Sequence, residues 1–313
     1  MAFGGKIRLK LVDFWHPPTR EEMQRNWFYR FLSQYWEIEL SDRPDFLLYS
    51  VMGLEHLKYN CTRIFYTGEN DRPNFAECDY AFSFDFPITE RNYRLPYYRL
   101  VNEYPLALQP RDPQRVLSEP RKFCSFISSN PGATQRSAFF EQLCAYKPVD
   151  SGGKVLNNLG YRVPDKNAWL SGYKFNIAFE NASYPGYTTE KLLDALVTNT
   201  IPIYWGNPEI VEDFNPRAFI NCHDYRSFDE VIEVVRQIDQ DEALYREYLS
   251  QPFLQDGQEK DFCKAENIAA AFERIFSRPT AFVPPARKRM HNYLYYLVKG
   301  RRKLRYEIRR RLG

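Results

Sequence analysis

The alternation of apolar and polar positions divides the first half of the chain into short strands with helices and turns between them. Residues 6–14 alternate, which predicts a strand that ends in a turn at Trp15 and His16. Residues 21–35 carry apolar side chains at helical spacing and predict one amphipathic helix. Further strands are predicted at residues 36–40, 45–50, 63–67 and 81–86. Strands that alternate with helices favour an α/β unit with a nearly parallel sheet.

Prolines are concentrated in residues 106–120, which we interpret as the crossover into a second α/β domain. The pattern beyond it predicts strands at residues 122–128 and 218–222, and helices at residues 133–146, 208–214, 228–238 and 242–249. Residues 148–164 are rich in Gly and Asn and predict a long flexible segment, either a lid or a plain surface loop. The predicted domains are therefore residues 1–118 and residues 119–280, followed by a tail at residues 281–313.

The segment from Tyr173 to Pro208 has the pattern of a βαβ unit. Residues 173–179 and 201–205 are short apolar runs typical of buried strands. A helix is predicted to begin at Thr188 or Thr189, because a Thr side chain can cap free backbone N–H groups. The loop and the helix start would then lie at the carboxyl edge of a parallel sheet, where ligands of open α/β folds bind. The free N–H groups of such a helix start suit a phosphate.

Two cations stand in the first turns of predicted helices, where they oppose the helix dipole. Lys191 follows Glu190 at the start of the helix in the βαβ unit, and Arg136 begins the helix predicted at residues 133–146. An anion bound at these helix starts would explain both cations. The alternatives are a solvated Lys and a surface Arg.

One carboxylate in the first half is placed as a functional residue would be. Glu69 follows a predicted strand and Gly68, so we expect it at the carboxyl edge of the first sheet. The alternative is an ordinary turn residue. Trp15 and His16 are predicted to lie at the same edge, where an aromatic face suits a sugar ring. A core Trp beside an incidental His is the other interpretation of that pair.

Composition limits the class of protein. The chain has 313 residues, 44% of them hydrophobic, which is enough for two cores, and no apolar run is long enough to span a membrane. The N-terminus lacks the apolar region of a secretory signal. The six cysteines are scattered and predict free thiols in a reducing compartment, so we expect a cytoplasmic location.

The net charge of +3 hides a strongly basic C-terminus. Residues 287–313 contain eleven Lys or Arg and one Glu, which leaves 32 basic and 39 acidic residues in the rest. Apolar residues in the tail stand at helical spacing, namely Leu297, Leu304, Ile308 and Leu312. This pattern predicts a basic amphipathic element that lies peripherally on the inner face of a membrane. A helix packed on the first domain and a nucleic-acid tail are the alternatives. The acidic body argues against nucleic acid.

The sequence indicates no metal site. The four His residues are dispersed, and Asp239-Gln240-Asp241, formally a DxD motif, lies between two predicted helices, where helix capping is the simpler role.

Three segments resemble a known family. The run FENASYPGYTTEK followed by IPIYWG, together with FYTGENDRPNF and FISSNPGATQRSAF, is similar to the signatures of the α-1,3/4-fucosyltransferases of glycosyltransferase family 10, bacterial type. The resemblance implies an α/β fold of two facing Rossmann-like domains (GT-B type) with an interdomain cleft. It also implies GDP-fucose as the donor, a glycan acceptor, and inversion at the fucose anomeric carbon.

The resemblance also assigns residue roles. It implies that Glu69 is the general base and that Arg136 and Lys191 hold the GDP phosphates. It further implies that Asn181, Tyr187 and Glu190 bind ribose, phosphate or fucose hydroxyls. The cation pair would replace a metal, so no cofactor is expected, although some relatives respond to Mn²⁺ and stimulation stays open.

Several alternatives remain at this point. O3 of GlcNAc is the expected acceptor position, but the acceptor glycan and the choice between 1,3 and 1,4 linkage are open. A transferase of the same fold with another nucleotide sugar is one alternative function. A non-catalytic membrane-surface protein that acts through its basic tail is another.

Overall fold

The structure, a computed structural model, describes residues 6–109, 113–132, 134–277, 279, 281–295 and 297. They form two compact units. The first unit contains the chain up to Leu95 and the described residues from Asp261 onward, and the second unit runs from Pro96 to Lys260. The predicted domains at residues 1–118 and 119–280 have different bounds, because the chain returns to the first unit after Lys260.

The strands are β1 (Ile7–Val12), β2 (Ile38–Leu40), β3 (Phe46–Tyr49), β4 (Thr62–Tyr66), β5 (Tyr80–Ser83), β6 (Asn92–Arg94), β7 (Lys122–Phe126), β8 (Val149–Ser151), β9 (Tyr173–Phe179), β10 (Ile201–Trp205) and β11 (Ile220–Asn221). The helices are α1 (Arg20–Arg25), α2 (Trp27–Leu32), α3 (Pro113–Leu117), α4 (Thr134–Cys144), α5 (Lys166–Leu170), α6 (Glu190–Val197), α7 (Phe228–Gln240), α8 (Glu242–Ser250), α9 (Ala265–Ser277) and α10 (residues 285–295).

Each unit is built on one parallel sheet, so the predicted α/β class is confirmed. The sheet of the first unit has the order β2-β1-β3-β4-β5-β6, and that of the second has the order β11-β10-β9-β7-β8. Every strand pairing in both sheets is parallel. The strands predicted at residues 173–179 and 201–205 match the bounds of β9 and β10.

The prediction of one helix at residues 21–35 is wrong, because the structure has two helices, α1 and α2, divided at Asn26. The backbone of Asn26 is extended (φ −61°, ψ 139°), and its side-chain oxygen accepts a hydrogen bond from Phe28 N at 2.9 Å. An Asn side chain competes for backbone donors in this way and begins a new helix. The apolar spacing persists across the break, since Met23, Phe28 and Phe31 are all buried.

α9 explains why the C-terminal part of the chain belongs to the first unit. Phe272 stacks on Phe82 of β5 with ring centroids 4.2 Å apart, and it also meets Phe28 edge-on. Phe276 packs against Trp36 and Phe46 in the same core. These contacts join residues far apart in sequence, so no local pattern signals them.

The flexible segment predicted at residues 148–164 is an ordered part of the second unit. It contains β8, and Asn158 fixes the chain that follows. The side chain of Asn158 accepts from Ser151 N and donates to Val149 O, both at 2.8 Å. Asn157 donates to the carbonyl groups of Gly153 and Tyr161. The Asn residues that suggested a loop therefore hold it in place.

α10 packs on the first unit through polar contacts. Lys288 Nζ lies 2.6 Å from Asp79 Oδ2, and both side chains are buried. Asn292 Nδ2 donates to Lys58 O at 2.6 Å. The described start of the tail is therefore a helix packed on the first domain, which was one of the alternatives for the tail. Residues 298–313 lie outside the described residues. In the described part of the chain, no helix has the length and apolarity to cross a membrane.

The buried ion pair of Lys288 and Asp79 gives a stability prediction. Lys288→Met should lower the free energy of unfolding by about 3 kcal/mol, because removal of one partner leaves a buried charge unpaired. The neighbouring Arg289 is exposed, so Arg289→Met should change it by no more than about 0.5 kcal/mol. Chemical denaturation of both variants measures this, and equal effects would contradict the anchoring role of Lys288.

Candidate active site

The start of α6 is capped by a carboxylate rather than by a Thr. Thr189 occupies the N-cap position, but its side chain makes no capping hydrogen bond. Instead, Glu180 at the end of β9 accepts from Thr189 N and from the Thr189 hydroxyl, both at 2.7 Å. The Glu180 side chain is fully buried. The predicted Thr cap is thus wrong in its chemistry, because the Thr189 hydroxyl is already committed to Glu180.

Contacts within the protein explain why a cation stands at position 191. Its Nζ donates to Thr189 Oγ1 at 2.7 Å, to Glu180 Oε2 at 3.1 Å and to Glu190 Oε1 at 3.4 Å. An ammonium group has three donors, and these three acceptors match them. The Glu180 carboxylate therefore balances this cation within the protein, and an anion bound at the helix start stays a prediction.

A glycine makes room for the buried carboxylate. A Cβ atom on Gly206, just after β10, would lie 2.5 Å from Glu180 Cγ and 2.9 Å from the Tyr204 hydroxyl. Side chains do not tolerate contacts this short, so the position requires Gly. The sequence pattern identified Gly206 only as the end of a strand. Its fit to Glu180 depends on the pairing of β9 with β10.

Arg136 in the first turn of α4 belongs to the same cluster. Its Nη2 donates to Asn181 Oδ1 at 2.7 Å, and its Nη1 donates to Ser128 Oγ. Burial lowers the pKa of the Arg136 guanidinium, and the negative charges of Glu180 and Glu190 act against that effect. The alternative of a surface Arg is therefore wrong, since the residue is 3% exposed.

One polar atom of this cluster stands out. Arg136 Nε is buried and has no hydrogen-bond partner among the described residues. A buried donor without an acceptor costs about 1–3 kcal/mol. An acceptor supplied by a ligand would remove that cost.

Tyr187 and Glu190 are the remaining residues of the second unit that the sequence analysis assigns to donor binding. Tyr187 is 1% exposed, and its ring lies within electrostatic reach of both Arg136 and Lys191. Burial alone would raise the pKa of Glu190, but Lys191 and Lys166 lower it to about 2. The structure thus brings together Arg136, Asn181, Tyr187, Glu190 and Lys191, and it adds Glu180, which sequence reasoning missed. The signal available for Glu180 was a charged residue directly after an apolar strand.

In the first unit, Glu69 and Trp15 lie side by side. The Trp15 indole N–H donates to Glu69 Oε1 at 3.4 Å. Thr67 Oγ1 accepts from Glu69 N at 3.0 Å and donates to Glu69 O at 2.8 Å, which fixes the backbone after β4. His16 is exposed and lines the same groove as Trp15. Trp15 is itself 41% exposed, so the interpretation of it as a core residue is wrong.

No group of three or more His, Cys, Asp or Glu side chains suited to a metal ion occurs among the described residues. Asp239 of the DxD sequence accepts from Lys147 and Lys174 at the C-terminal end of α7, and Asp241 caps α8. These two carboxylates therefore have structural partners in the second unit.

The buried carboxylate gives a testable prediction. Glu180→Gln should lower the free energy of unfolding by about 3 kcal/mol, because it leaves Lys191 without its buried counter-ion. Glu209 lies in the same unit and is exposed, so Glu209→Gln should be nearly neutral. Urea denaturation compares the two variants. If Glu180→Gln is as stable as Glu209→Gln, the carboxylate does not hold this site together.

Two family models match the chain. The model described as "Alpha-(1,3)-fucosyltransferase FucT N-terminal domain" matches residues 9–101, and "Glycosyltransferase family 10 (fucosyltransferase) C-term" matches residues 117–266. The second match covers α4, β9 and α6, which carry the cluster around Glu180.

Similar proteins agree with these matches. The chain is 36% identical to the alpha-(1,3)-fucosyltransferase FucT of Helicobacter pylori over 283 residues, which cover 78% of this chain and 59% of that protein. The chain therefore spans less than two thirds of that relative's length. A crystal structure of an alpha1,3-fucosyltransferase superposes with a TM-score of 0.80 at 33% identity, covering 90% of this chain and 93% of that chain.

A further crystal structure, of alpha1,3-fucosyltransferase with GDP-fucose, superposes with a TM-score of 0.78 at 32% identity. It covers 91% of this chain and 95% of that chain. Both the sequence matches and the shared fold extend over the two units described above. The chain belongs to glycosyltransferase family 10, the fucosyltransferases.

Proposed function

We propose that this chain is an inverting fucosyltransferase that moves L-fucose from GDP-β-L-fucose to a hydroxyl group, O3 of GlcNAc, in an oligosaccharide acceptor. Family membership supports fucose transfer, and one of the similar crystal structures is of an alpha1,3-fucosyltransferase with GDP-fucose. The observation that carries the proposal is the buried Arg136 Nε, which has no hydrogen-bond partner among the described residues although Asn181 holds the same guanidinium.

The donor diphosphate would be bound in the second unit by Arg136 and Lys191. Arg136 Nε–H has no acceptor in the described part of the chain, so a phosphate oxygen would supply one. Lys191 would have to exchange one of its three contacts, and the longest, at 3.4 Å to Glu190, is the cheapest to give up. The contacts to Glu180 and Thr189 would then keep the ammonium group in place.

This arrangement suits the departure of GDP. As the bond between fucose and phosphate breaks, negative charge grows on the diphosphate. Fixed cations at that position stabilise the charge without reorganisation, which lowers the barrier to transfer. Glu180 holds Lys191, and Asn181 and Ser128 hold Arg136, so both cations are oriented before the donor binds. No step in this scheme requires a metal, and stimulation by Mn²⁺ stays an open alternative.

Glu69 in the first unit would supply the general base. Its carboxylate takes the proton of the acceptor hydroxyl while that oxygen attacks the anomeric carbon and GDP leaves from the opposite face. The contact with Trp15 Nε1 would orient the carboxylate, and Trp15 and His16 would bind the acceptor. Asn181, Tyr187 and Glu190 would bind ribose, phosphate or fucose hydroxyls, and Asn181 also holds Arg136.

We also propose that the protein is cytoplasmic and peripheral on the inner face of the membrane. The support is the cluster of Lys and Arg in residues 287–313, since each cation near an anionic surface contributes about 1 kcal/mol to membrane binding.

A transferase that uses another nucleotide sugar is the competing function. Thermal shifts with GDP-fucose, GDP-mannose and UDP-sugars separate the two, because only the favoured donor should stabilise the protein strongly.

The base role of Glu69 gives a kinetic prediction. Glu69→Gln should lower turnover at least a hundredfold, because the neutral amide accepts no proton, and should leave GDP affinity nearly unchanged. Glu37 lies before β2, at the amino end of the sheet, with a side chain that is 73% exposed. Glu37→Gln is therefore the matched control. Steady-state transfer assays and calorimetric GDP titration measure both quantities, and an equal loss of GDP affinity would rule out the base role.

A further inference from the structure

Ser128 is a buried polar residue of the second unit that contacts Arg136. It follows β7 at the carboxyl edge of the second sheet and is 3% exposed. Its Oγ atom accepts a hydrogen bond from Arg136 Nη1. The Ser128 O–H donates to Asn130 O at 3.4 Å. A hydroxyl group has one donor and two acceptor positions, so these two contacts are compatible.

The Arg136 guanidinium is held at two of its three nitrogen atoms. Nη1 donates to Ser128 Oγ, and Nη2 donates to Asn181 Oδ1 at 2.7 Å. A guanidinium is planar, so one contact alone leaves it free to turn, whereas contacts at two nitrogens fix its plane. The third nitrogen, Nε, is buried and has no acceptor among the described residues. The direction of the Nε–H therefore depends on the Ser128 hydroxyl.

Both of these acceptors are neutral oxygen atoms, one from a hydroxyl group and one from an amide. A carboxylate in bidentate contact would orient the guanidinium and also cancel its charge. Neutral acceptors supply orientation alone. The positive charge of Arg136 therefore stays available to a further acceptor.

The segment after β8 fixes the backbone of Ser128. Ser128 O accepts from Lys154 N at 2.7 Å and from Val155 N at 3.0 Å. Gly153 lies so close that a Cβ atom on it would be 2.3 Å from Ser128 O and 2.5 Å from Ser128 N. Since both of these atoms belong to the backbone, position 153 requires Gly. The Ser128 hydroxyl is thus held from the loop as well as from β7.

We propose that Ser128 is a positioning residue for fucose transfer, whose hydroxyl fixes the Arg136 guanidinium so that its Nε–H meets a phosphate oxygen of the donor. The inference rests on the function proposed above and extends it to a residue that acts through Arg136. Gly153 contributes indirectly, because it lets the loop after β8 approach the Ser128 backbone.

Calorimetric titrations of the full chain with GDP and with guanosine test this role, because the two ligands differ only in the diphosphate. Ser128→Ala should lower the ratio of GDP affinity to guanosine affinity roughly tenfold, since one charge-assisted contact loses its orientation. Its guanosine affinity should be unchanged. Ser128→Thr retains the hydroxyl group and should keep the ratio within about twofold of the unaltered chain.

Ser250→Ala is the matched control in the same unit. It also removes one hydroxyl group and one hydrogen bond, from Ser250 Oγ to Arg246 O at 2.7 Å, but at an exposed position. Both affinities should therefore match those of the unaltered chain.

Gly153→Ala gives a second test that leaves the Ser128 hydroxyl in the chain. The added methyl group collides with the Ser128 backbone, so the ratio of GDP affinity to guanosine affinity should again fall. Gly172→Ala is its control, because a Cβ atom there would have its nearest neighbour, Trp169 O, at 3.4 Å. The ratio should stay unchanged in that variant.

The outcomes separate the positioning role from the proposed function. Equal ratios for Ser128→Ala and Ser250→Ala, or for Gly153→Ala and Gly172→Ala, would overturn the positioning role. Loss of both affinities in equal proportion in Ser128→Ala would also overturn it, because a purely structural role predicts that result. If the unaltered chain itself binds guanosine as tightly as GDP, the diphosphate site of the proposed function fails.

Discussion

The buried carboxylate of Glu180 is the interaction on which the rest of the site depends. It caps the start of α6 through Thr189, balances the charge of Lys191, and lies within electrostatic reach of Arg136. A buried carboxylate costs several kcal/mol of desolvation unless donors and cations surround it. Here a backbone N–H, a hydroxyl group and an ammonium group meet both of its oxygens, and Gly206 leaves the space. Lys191 is therefore held in place by the protein itself, and Arg136 is held by Asn181 and Ser128.

The charge balance of this cluster is compatible with the diphosphate site proposed above. Arg136 and Lys191 are opposed by Glu180 and Glu190, so the cluster is close to neutral before a ligand binds. Such a site avoids the repulsion of two bare cations, while Arg136 Nε has no acceptor among the residues that the structure describes and Lys191 makes one long contact. Binding then needs only a small rearrangement. Glu190 is anionic in this state of the site, since Lys191 and Lys166 lower its pKa to about 2.

Local patterns in the sequence predicted the elements and most of the site, but they could not predict contacts between distant segments. β9 and β10 follow from apolar runs, and Arg136 and Lys191 follow from cations at helix starts. The partner of Lys191 did not follow, because Glu180 is eleven residues away and reaches it only when β9 ends beside α6. The return of α9 to the first unit was missed for the same reason, whereas a tail helix packed on the first domain was among the alternatives. The break at Asn26 was a local signal, an Asn inside a helical pattern, which the apolar spacing concealed.

Calorimetric titration of the full chain with GDP and with guanosine tests the central claim most directly. The two ligands share the base and the ribose and differ only in the diphosphate. Two charge-assisted contacts contribute about 3 kcal/mol or more, so GDP should bind at least roughly a hundredfold more tightly than guanosine. If guanosine binds as tightly as GDP, Arg136 and Lys191 do not hold a diphosphate, and the account is contradicted.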